Sequence, residues 1–532
     1  MQIFEFLDWL VLGAYFAVLI AVAVWISLKR EDTASDYFLA GRNAGWFVIG
    51  ASIFASNIGS EHVVGLAGTG AASGMPMAHY ELHAWIVLVL GWLFLPFYMR
   101  SGVYTMPAFL ERRFDNRSGW FLSIFSIIGY VLTKVSVTIY AGGVVVSQLL
   151  DIPFMFGAIG TVVLTGAYTI FGGMRAVMYT EAFQTVILIL GAVLLTWLGM
   201  EAVGGWGELK RLAGSDHFDM WRPSSDPDYP WTGMLFGGTV VGIWYWCTDQ
   251  YIVQRTLAAG NITIGRRGAI FGAYLKLLPV FIFLVPGMIA FALKQKGVLH
   301  YDKSDEVYPA LVQALLPTGL RGLVAGGLMA ALMSSLASVF NSSATLFTVD
   351  IFKKMSPDST ERTLVRTGQW ATAVVVLLGL LWIPVMEKIG GGVLYQYLQS
   401  VQSYIAPPIA VVFLMGILWK RVNGQAAIAT LGVGLLAGSL RIVAELTAEP
   451  GDGLWHDFAA INFAHMAVYM FLACAAVCTL VTLVTKAPDP QHIEGLAFGT
   501  GGMERQEPYS ITDLLLTGVL VAIILGIMVY FT

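Results

Sequence analysis

Asn57, Ser60, Glu61 and His62 fall within residues 51–74, ASIFASNIGSEHVVGLAGTGAASG, a stretch otherwise apolar enough to lie inside a membrane. A charged side chain near the bilayer midplane costs roughly 2.5–3.5 kcal/mol on insertion scales, so such groups mark a functional site by default. Gly50, Gly59, Gly65, Gly68 and Gly70 sit in or against the stretch and each lowers helix propensity by up to about 1 kcal/mol. A segment both polar and poorly helical is tolerated at membrane depth only where it lines a cavity or packs on protein. Adjacent residues on a regular helix point about 100° apart, so Glu61 and His62 cannot both face one cavity squarely. His62 reads as a hydrogen-bonding partner of a polar ligand or as a buried structural histidine. Glu61 reads as a ligand contact or as the partner of a helix end or another side chain.

Further polar groups recur along the chain. Glu81 follows Tyr80 at the start of an apolar run, as a solvated edge carboxylate or as a buried one. Lys276, in FGAYLKLLPVF, lies about ten residues into a span, too deep to snorkel easily. Its ammonium needs an acceptor, either Glu81 or a ligand hydroxyl; Lys134, in VLTKVSV, is similar but more ambiguous. Ser338, Ser342 and Ser343 read as hydroxyls that bond their own helix or permit close packing. The Ser334–Ser335 pair suits a hard cation, because hydroxyls and the carbonyls freed by an interrupted helix supply uncharged oxygens. Gln399 and Gln402, in YQYLQSVQSY, place amides among tyrosines. Amides and charges that bond hydroxyls, beside aromatic faces that stack on C–H faces, describe a pocket for a sugar or polyol.

These groups must be held by membrane spans. Of 532 residues 57% are hydrophobic and 12% charged, and runs of about 20 apolar residues recur from end to end, the length that crosses a hydrocarbon core. Hydropathy gives about fourteen spans, near 9–28, 45–71, 78–99, 118–149, 153–172, 177–203, 232–258, 267–293, 312–350 (with a possible bend at Ser334), 363–385, 391–418, 424–446, 460–485 and 508–531. Of the 30 basic residues, 19 fall in loops of one face, eight at the other and three within spans (Lys134, Lys276 and Arg441). By the positive-inside rule both termini are then outside. The acidic start MQIFEFLDWL lacks the basic region of a cleavable signal peptide. The three cysteines imply neither disulfide nor metal site, no Walker-type loop suggests ATP, and a net charge of −4 without a dense basic run argues against nucleic acid. Short loops make the chain, 1–532, a single membrane domain. A second glycine-bearing interruption, FGGTVVGIWYWCTDQYIVQ with Asp249, follows the first by about 190 residues. Paired irregular spans in two halves point to a transporter site at a repeat interface.

The motifs ASNIGSEHVVGLAGTGAASG, WYWCTDQYIVQR, YLKLLP, SSLASVFNSSATLFTVDI and YLQSVQSYIAPPIAVVFL resemble the sodium/solute symporter family, and within it the sodium/glucose cotransporters, from Tyr37 to about residue 425. The resemblance implies an all-α integral membrane fold with a LeuT-type inverted repeat of five plus five helices, 45–203 and 232–418, an extra N-terminal helix at 9–28 and extra C-terminal helices at 424–531. It carries solute contacts to Asn57, His62, Glu81, Tyr245, Trp246, Lys276 and Gln399. It assigns gates to Leu66, Tyr80, Tyr245 and Tyr395. It places sodium at the carbonyls of Ala55, Ile58 and Ala331 and the hydroxyls of Ser334 and Ser335. Ala337 stands where family members using two sodium ions have threonine, Glu181 where the family has aspartate, and Gln402 where it has a smaller hydroxyl residue. The first departure implies one sodium per solute, and the last leaves the exact sugar open.

The expectation is therefore a secondary transporter in a plasma membrane, a bacterial inner membrane by its short, cysteine-free external loops. It would couple inward sodium movement to uptake of a glucose- or galactose-like monosaccharide, with sodium as coupling ion and no other cofactor. The alternatives are a sodium symporter for another solute such as myo-inositol, or a sugar-gated channel or sensor. An enzyme is disfavoured, since no nucleophile, metal-ligand spacing or cofactor motif accompanies the histidine and glutamate.

Overall fold

A computed structural model describes residues 4–29, 33–389, 394–500 and 510–532. Among the described residues the chain is all-α apart from one isolated bridge between Ala44 and Ala259. Its principal helices are α1 (Phe6–Ser27), α2 (Trp46–Asn57), α3 (Ser60–Ala72), α4 (Met75–Ser101), α5 (116–150), α6 (Phe154–Val203), α7 (233–248), α8 (Gln250–Leu257), α9 (Ile262–Gln295), α10 (Leu320–Met355), α11 (Glu361–Ile389), α12 (Leu394–Leu418), α13 (Gly424–Thr447), α14 (Phe463–Val484) and α15 (Ile511–Tyr530). Among the described residues, ten helices are long and apolar enough to cross a membrane, or eleven when α2 and α3 count as one span bent by 59°. Large apolar side chains such as Trp197, Leu436, Leu472 and Leu515 are exposed on the outside, the pattern of a lipid-facing surface.

The fourteen hydropathy segments and these helices differ at specific places. Residues 153–172 and 177–203 form one 50-residue run, turned at Gly173 by φ 59° and ψ −159°. Only glycine fits there, because a Cβ would sit 2.7 Å from both the ring and the carbonyl of Tyr37. The run 312–350 does not bend at Ser334. It breaks earlier, between Val307–Leu315 and α10, at the turn ending in Gly319 (φ 88°), and α10 continues unbroken through Ser334. Segments 118–149 and 232–258 are interrupted by wide π-helical turns at Tyr130–Val135, Gly233–Gly237 and Ile243–Thr248, a geometry common at functional sites.

Three arginines assigned to loops are buried instead: Arg113, Arg255 and Arg266. Arg113 donates to the carbonyls of Gly416 (2.7 Å), Trp419 (3.2 Å) and Val422 (3.0 Å), capping the orphan carbonyls at the end of α12. Setting these three aside leaves 16 basic residues on that face against eight on the other, so the bias remains.

α6 packs along α10, and α9 along α2 and α3. Small residues set the closest approach: a Cβ on Gly70 would lie 2.2 Å from the Leu284 carbonyl, and one on Gly287 2.1 Å from the Ala67 carbonyl. Membrane helices approach this closely only through such residues. Gly287→Val is expected to destabilise the fold by about 1–3 kcal/mol or more, read as a lower melting temperature and folded yield in detergent. An unchanged melting temperature would refute the close contact.

Candidate functional site

The polar stretch of α2 and α3 is broken because Ile58 (φ −87°, ψ 94°) and Gly59 (φ −93°, ψ 177°) are extended. The end of α2 therefore leaves carbonyls without intrahelical donors. A second break follows α7, where Asp249 is extended (φ −80°, ψ 126°) and its carboxylate caps α8 by accepting from the Tyr251 N–H at 3.3 Å. Residues beside both breaks line one cavity, Asn57 and His62 from the first and Tyr245, Trp246 and Tyr251 from the second.

All seven residues expected to contact solute line this cavity: Asn57, His62, Glu81, Tyr245, Trp246, Lys276 and Gln399. Of the expected gates, Tyr80 and Tyr245 line it as well. Leu66 is fully buried and does not reach it. The side chains of Glu61 and Tyr395 lie outside the described residues. Gln402, noted as a departure, is part of the wall, and so is the more ambiguous Lys134. His83, Thr138 and Tyr251 also line it and were missed. Tyr251, six residues after Tyr245 within the same motif, was the legible one.

Lys276 Nζ lies 2.5 Å from Glu81 Oε2, with both side chains buried, and 5.5 Å from the centre of the Trp246 ring. The carboxylate is thus the acceptor that a buried ammonium requires. A second ion pair joins Lys134 Nζ to Asp249 Oδ2 at 3.1 Å, while the Tyr130 hydroxyl donates to the other carboxylate oxygen. The Lys134 ammonium also rests over the rings of Tyr251 (3.7 Å) and Tyr245 (4.4 Å), a cation–π arrangement. Asn57 Nδ2 donates to the Tyr245 hydroxyl at 3.2 Å. Asn57 Oδ1 is buried with no partner among the described residues. Such an acceptor is costly to leave empty and suits a ligand hydroxyl.

Beside the cavity, the carbonyls of α2 meet hydroxyls of α10. Ser334 Oγ lies 2.9 Å from the Ala55 carbonyl oxygen and 3.0 Å from that of Ala331. Ser335 Oγ lies 3.5 Å from the Ser56 carbonyl oxygen, which also accepts from the Tyr251 hydroxyl. This is an all-oxygen, uncharged set, the kind a monovalent hard cation prefers. Ser338, read from sequence as a packing hydroxyl, instead joins a fully buried cluster. Its hydroxyl donates to Glu181, which also accepts from Ser52 and pairs with Arg255 at 3.2 Å. Ser56 belongs to both groups, its carbonyl 3.5 Å from Ser335 Oγ and its hydroxyl 3.0 Å from Ser338 Oγ.

Residues 37–434 match the sodium:solute symporter family, three quarters of the chain and both helix breaks. The chain belongs to that family. It is a multi-pass, sodium-coupled secondary transporter of a small polar solute and not an enzyme, and no cofactor beyond the coupling ion is indicated. It is 40% identical over 544 residues to the mouse (Mus musculus) sodium/myo-inositol cotransporter 2, covering 95% of this chain and 80% of that protein. Identity to the human (Homo sapiens) sodium/myo-inositol cotransporter 2 is 43% over 469 residues, 82% of this chain and 70% of that one. A zebrafish (Danio rerio) sodium/glucose cotransporter 4 is 38% identical over 537 residues, covering 93% and 81%. Among solved structures, a substrate-bound, outward-open sodium-coupled sialic acid symporter superposes with a TM-score of 0.80 at 24% identity, over 91% of this chain and 99% of that one. A nucleobase-cation-symport-1 family transporter in a closed conformation gives 0.56 at 13% identity, over 86% and 97%. Both likenesses concern the symporter fold.

Proposed function

We propose that this symporter couples one sodium ion to the uptake of one cyclic polyol of the myo-inositol kind, by alternating access. The residues alone put glucose or galactose first and myo-inositol second; the sodium/myo-inositol relatives at 39–43% identity favour the second. A cavity whose wall carries hydrogen-bonding groups from Asn57, His62, Glu81, Lys134, Lys276 and Gln399 supports it, since a cyclitol carries a hydroxyl on every ring carbon. Trp246 and Tyr245 offer faces to the C–H side of the ring.

The observation that carries the coupling is the end of α2. Ala55 and Ser56 turn their carbonyls toward the α10 hydroxyls, and the next residue, Asn57, turns its amide into the cavity. Sodium held by the carbonyls of Ala55, Ile58 and Ala331 and the hydroxyls of Ser334 and Ser335 fixes that break, and with it Asn57 and His62. Glu81, Lys276 and Gln399 complete the solute shell. Tyr80 and Tyr395 form the outer gate, with Leu66 packed behind it and not on the cavity wall, and Tyr245 forms the inner one. The architecture is five plus five helices, 45–203 and 232–418, within fourteen spans of a single domain in a bacterial inner membrane with both termini outside. One sodium crossing 100 mV supplies about 2.3 kcal/mol and a tenfold gradient about 1.4 kcal/mol, together enough for roughly several-hundredfold accumulation.

Proteoliposomes under an imposed inward sodium gradient test this. Labelled myo-inositol should accumulate uphill, and glucose should compete only at about tenfold or higher concentration. Uphill uptake of glucose with myo-inositol inert would restore the monosaccharide reading. Sodium-independent equilibration of either solute would instead indicate a channel.

A further inference from the structure

A second, smaller chamber adjoins the solute cavity, and the two share Lys134 and Gln402 as a common wall. Its other residues on α5 precede Lys134 (Gly129 and Tyr130 among them), and those on α12 include Ile405 and Ile409 beyond Gln402. The chamber is thus displaced toward the ends of α5 and α12 that border Arg112, Arg117, Lys420 and Arg421, the face the positive-inside rule assigns to the interior. Its lining is divided. Trp244, Ile405 and Ile409 form an apolar wall, while Asp249, Tyr130, Lys134 and Gln402 supply hydrogen-bonding groups.

The Lys134–Asp249 pair is the notable feature of that partition. Its side chains are 9% and 3% exposed. Burying two charges costs several kcal/mol per ion, and mutual attraction repays this only in favourable geometry, so a pair used only for packing is a poor choice at this depth. The pair also stands at the α7–α8 break, where Asp249 is extended. Asp249 is also engaged by Tyr130 and by the start of α8, and Lys134 is part of the wall of both spaces.

Resting on the function proposed above, we propose that this chamber is a second solute station on the release path. It receives the same polyhydroxylated ring after the Lys134 ammonium exchanges Asp249 for a solute hydroxyl. The ring leaves Tyr245 and Trp246 and settles against Trp244, with Gln402 in contact throughout.

Gly129 gives a clean test, because a Cβ there meets no atom within 4 Å and the residue does not line the solute cavity. Gly129→Leu and Ile405→Trp fill the chamber, and Gly129→Ala is the control. The full chain is assayed for sodium-dependent equilibrium binding of labelled myo-inositol in detergent and for uptake and counterflow in proteoliposomes. The filled variants should bind with a Kd within about twofold of the parent while uptake and counterflow fall about tenfold or more, and Gly129→Ala should transport normally. Filled variants that transport at more than about half the parent rate overturn the proposal, as do variants that lose binding and transport together. If the parent chain itself fails to bind myo-inositol, the function reading fails instead, and the same variants are then scored with the sugar the parent accepts.

Discussion

Ser334→Ala combined with Ser335→Ala should abolish sodium-driven uptake at the sodium concentrations that saturate the parent. The double change deletes both side-chain oxygens of the proposed ion shell and leaves only carbonyls at Ala55, Ile58 and Ala331. A bond from a neutral group to a charged one is worth about 1.5–3 kcal/mol, so losing two weakens sodium by roughly two to four decades if the terms add. Ser334→Ala alone should be the more severe single change. Its hydroxyl lies within 3.0 Å of two shell carbonyls, whereas Ser335 Oγ is 3.5 Å from the Ser56 carbonyl. Solute affinity should fall as well, because coupling free energy is reciprocal and the ion orders the α2 break that carries Asn57. The measurement is the sodium concentration for half-maximal uptake, with sodium-free solute binding alongside. A double variant with an unchanged sodium curve would remove the ion from this site.

The same break explains why so much of the site could be read from the chain. Glycines beside Asn57 and His62, and Asp249 after a glycine-bearing run, signal interrupted helices through local chemistry alone. The need of Lys276 for an acceptor likewise names Glu81, because few other carboxylates lie at that depth. What failed was whatever depends on packing between distant segments. Lys134 and Asp249 were each noted, yet nothing local pairs residues 115 positions apart. Arg255 looked like a loop cation because hydropathy ends the span near it, but α8 turns it inward to Glu181 with no exposed side-chain surface. A hydropathy window also averages over Pro317 and Gly319, which hid the break before α10. The solute stayed open for a chemical reason: glucose and myo-inositol present nearly the same ring of hydroxyls, and the same amides and charges bind both.

Glu81 and Lys276 allow stability and transport to be separated. With the Lys276 ammonium 2.5 Å from the carboxylate and both side chains at or below 4% exposure, removing either partner strands a buried charge, a loss of about 3–5 kcal/mol. Glu81→Gln and Lys276→Met singly should each lower the melting temperature and the folded yield. The double variant removes both charges together, and such replacements are often neutral or stabilising by about 1–4 kcal/mol. Its melting temperature should therefore return toward that of the parent. Transport should not return with it. If the pair also bonds solute hydroxyls, the double variant still lacks contacts worth about 1.5–3 kcal/mol each, about 10- to 150-fold in affinity per contact. Thermal denaturation read beside myo-inositol uptake distinguishes the two roles. A double variant that folds and transports like the parent would make the pair a packing device, whereas one that folds without transporting places both side chains on the solute.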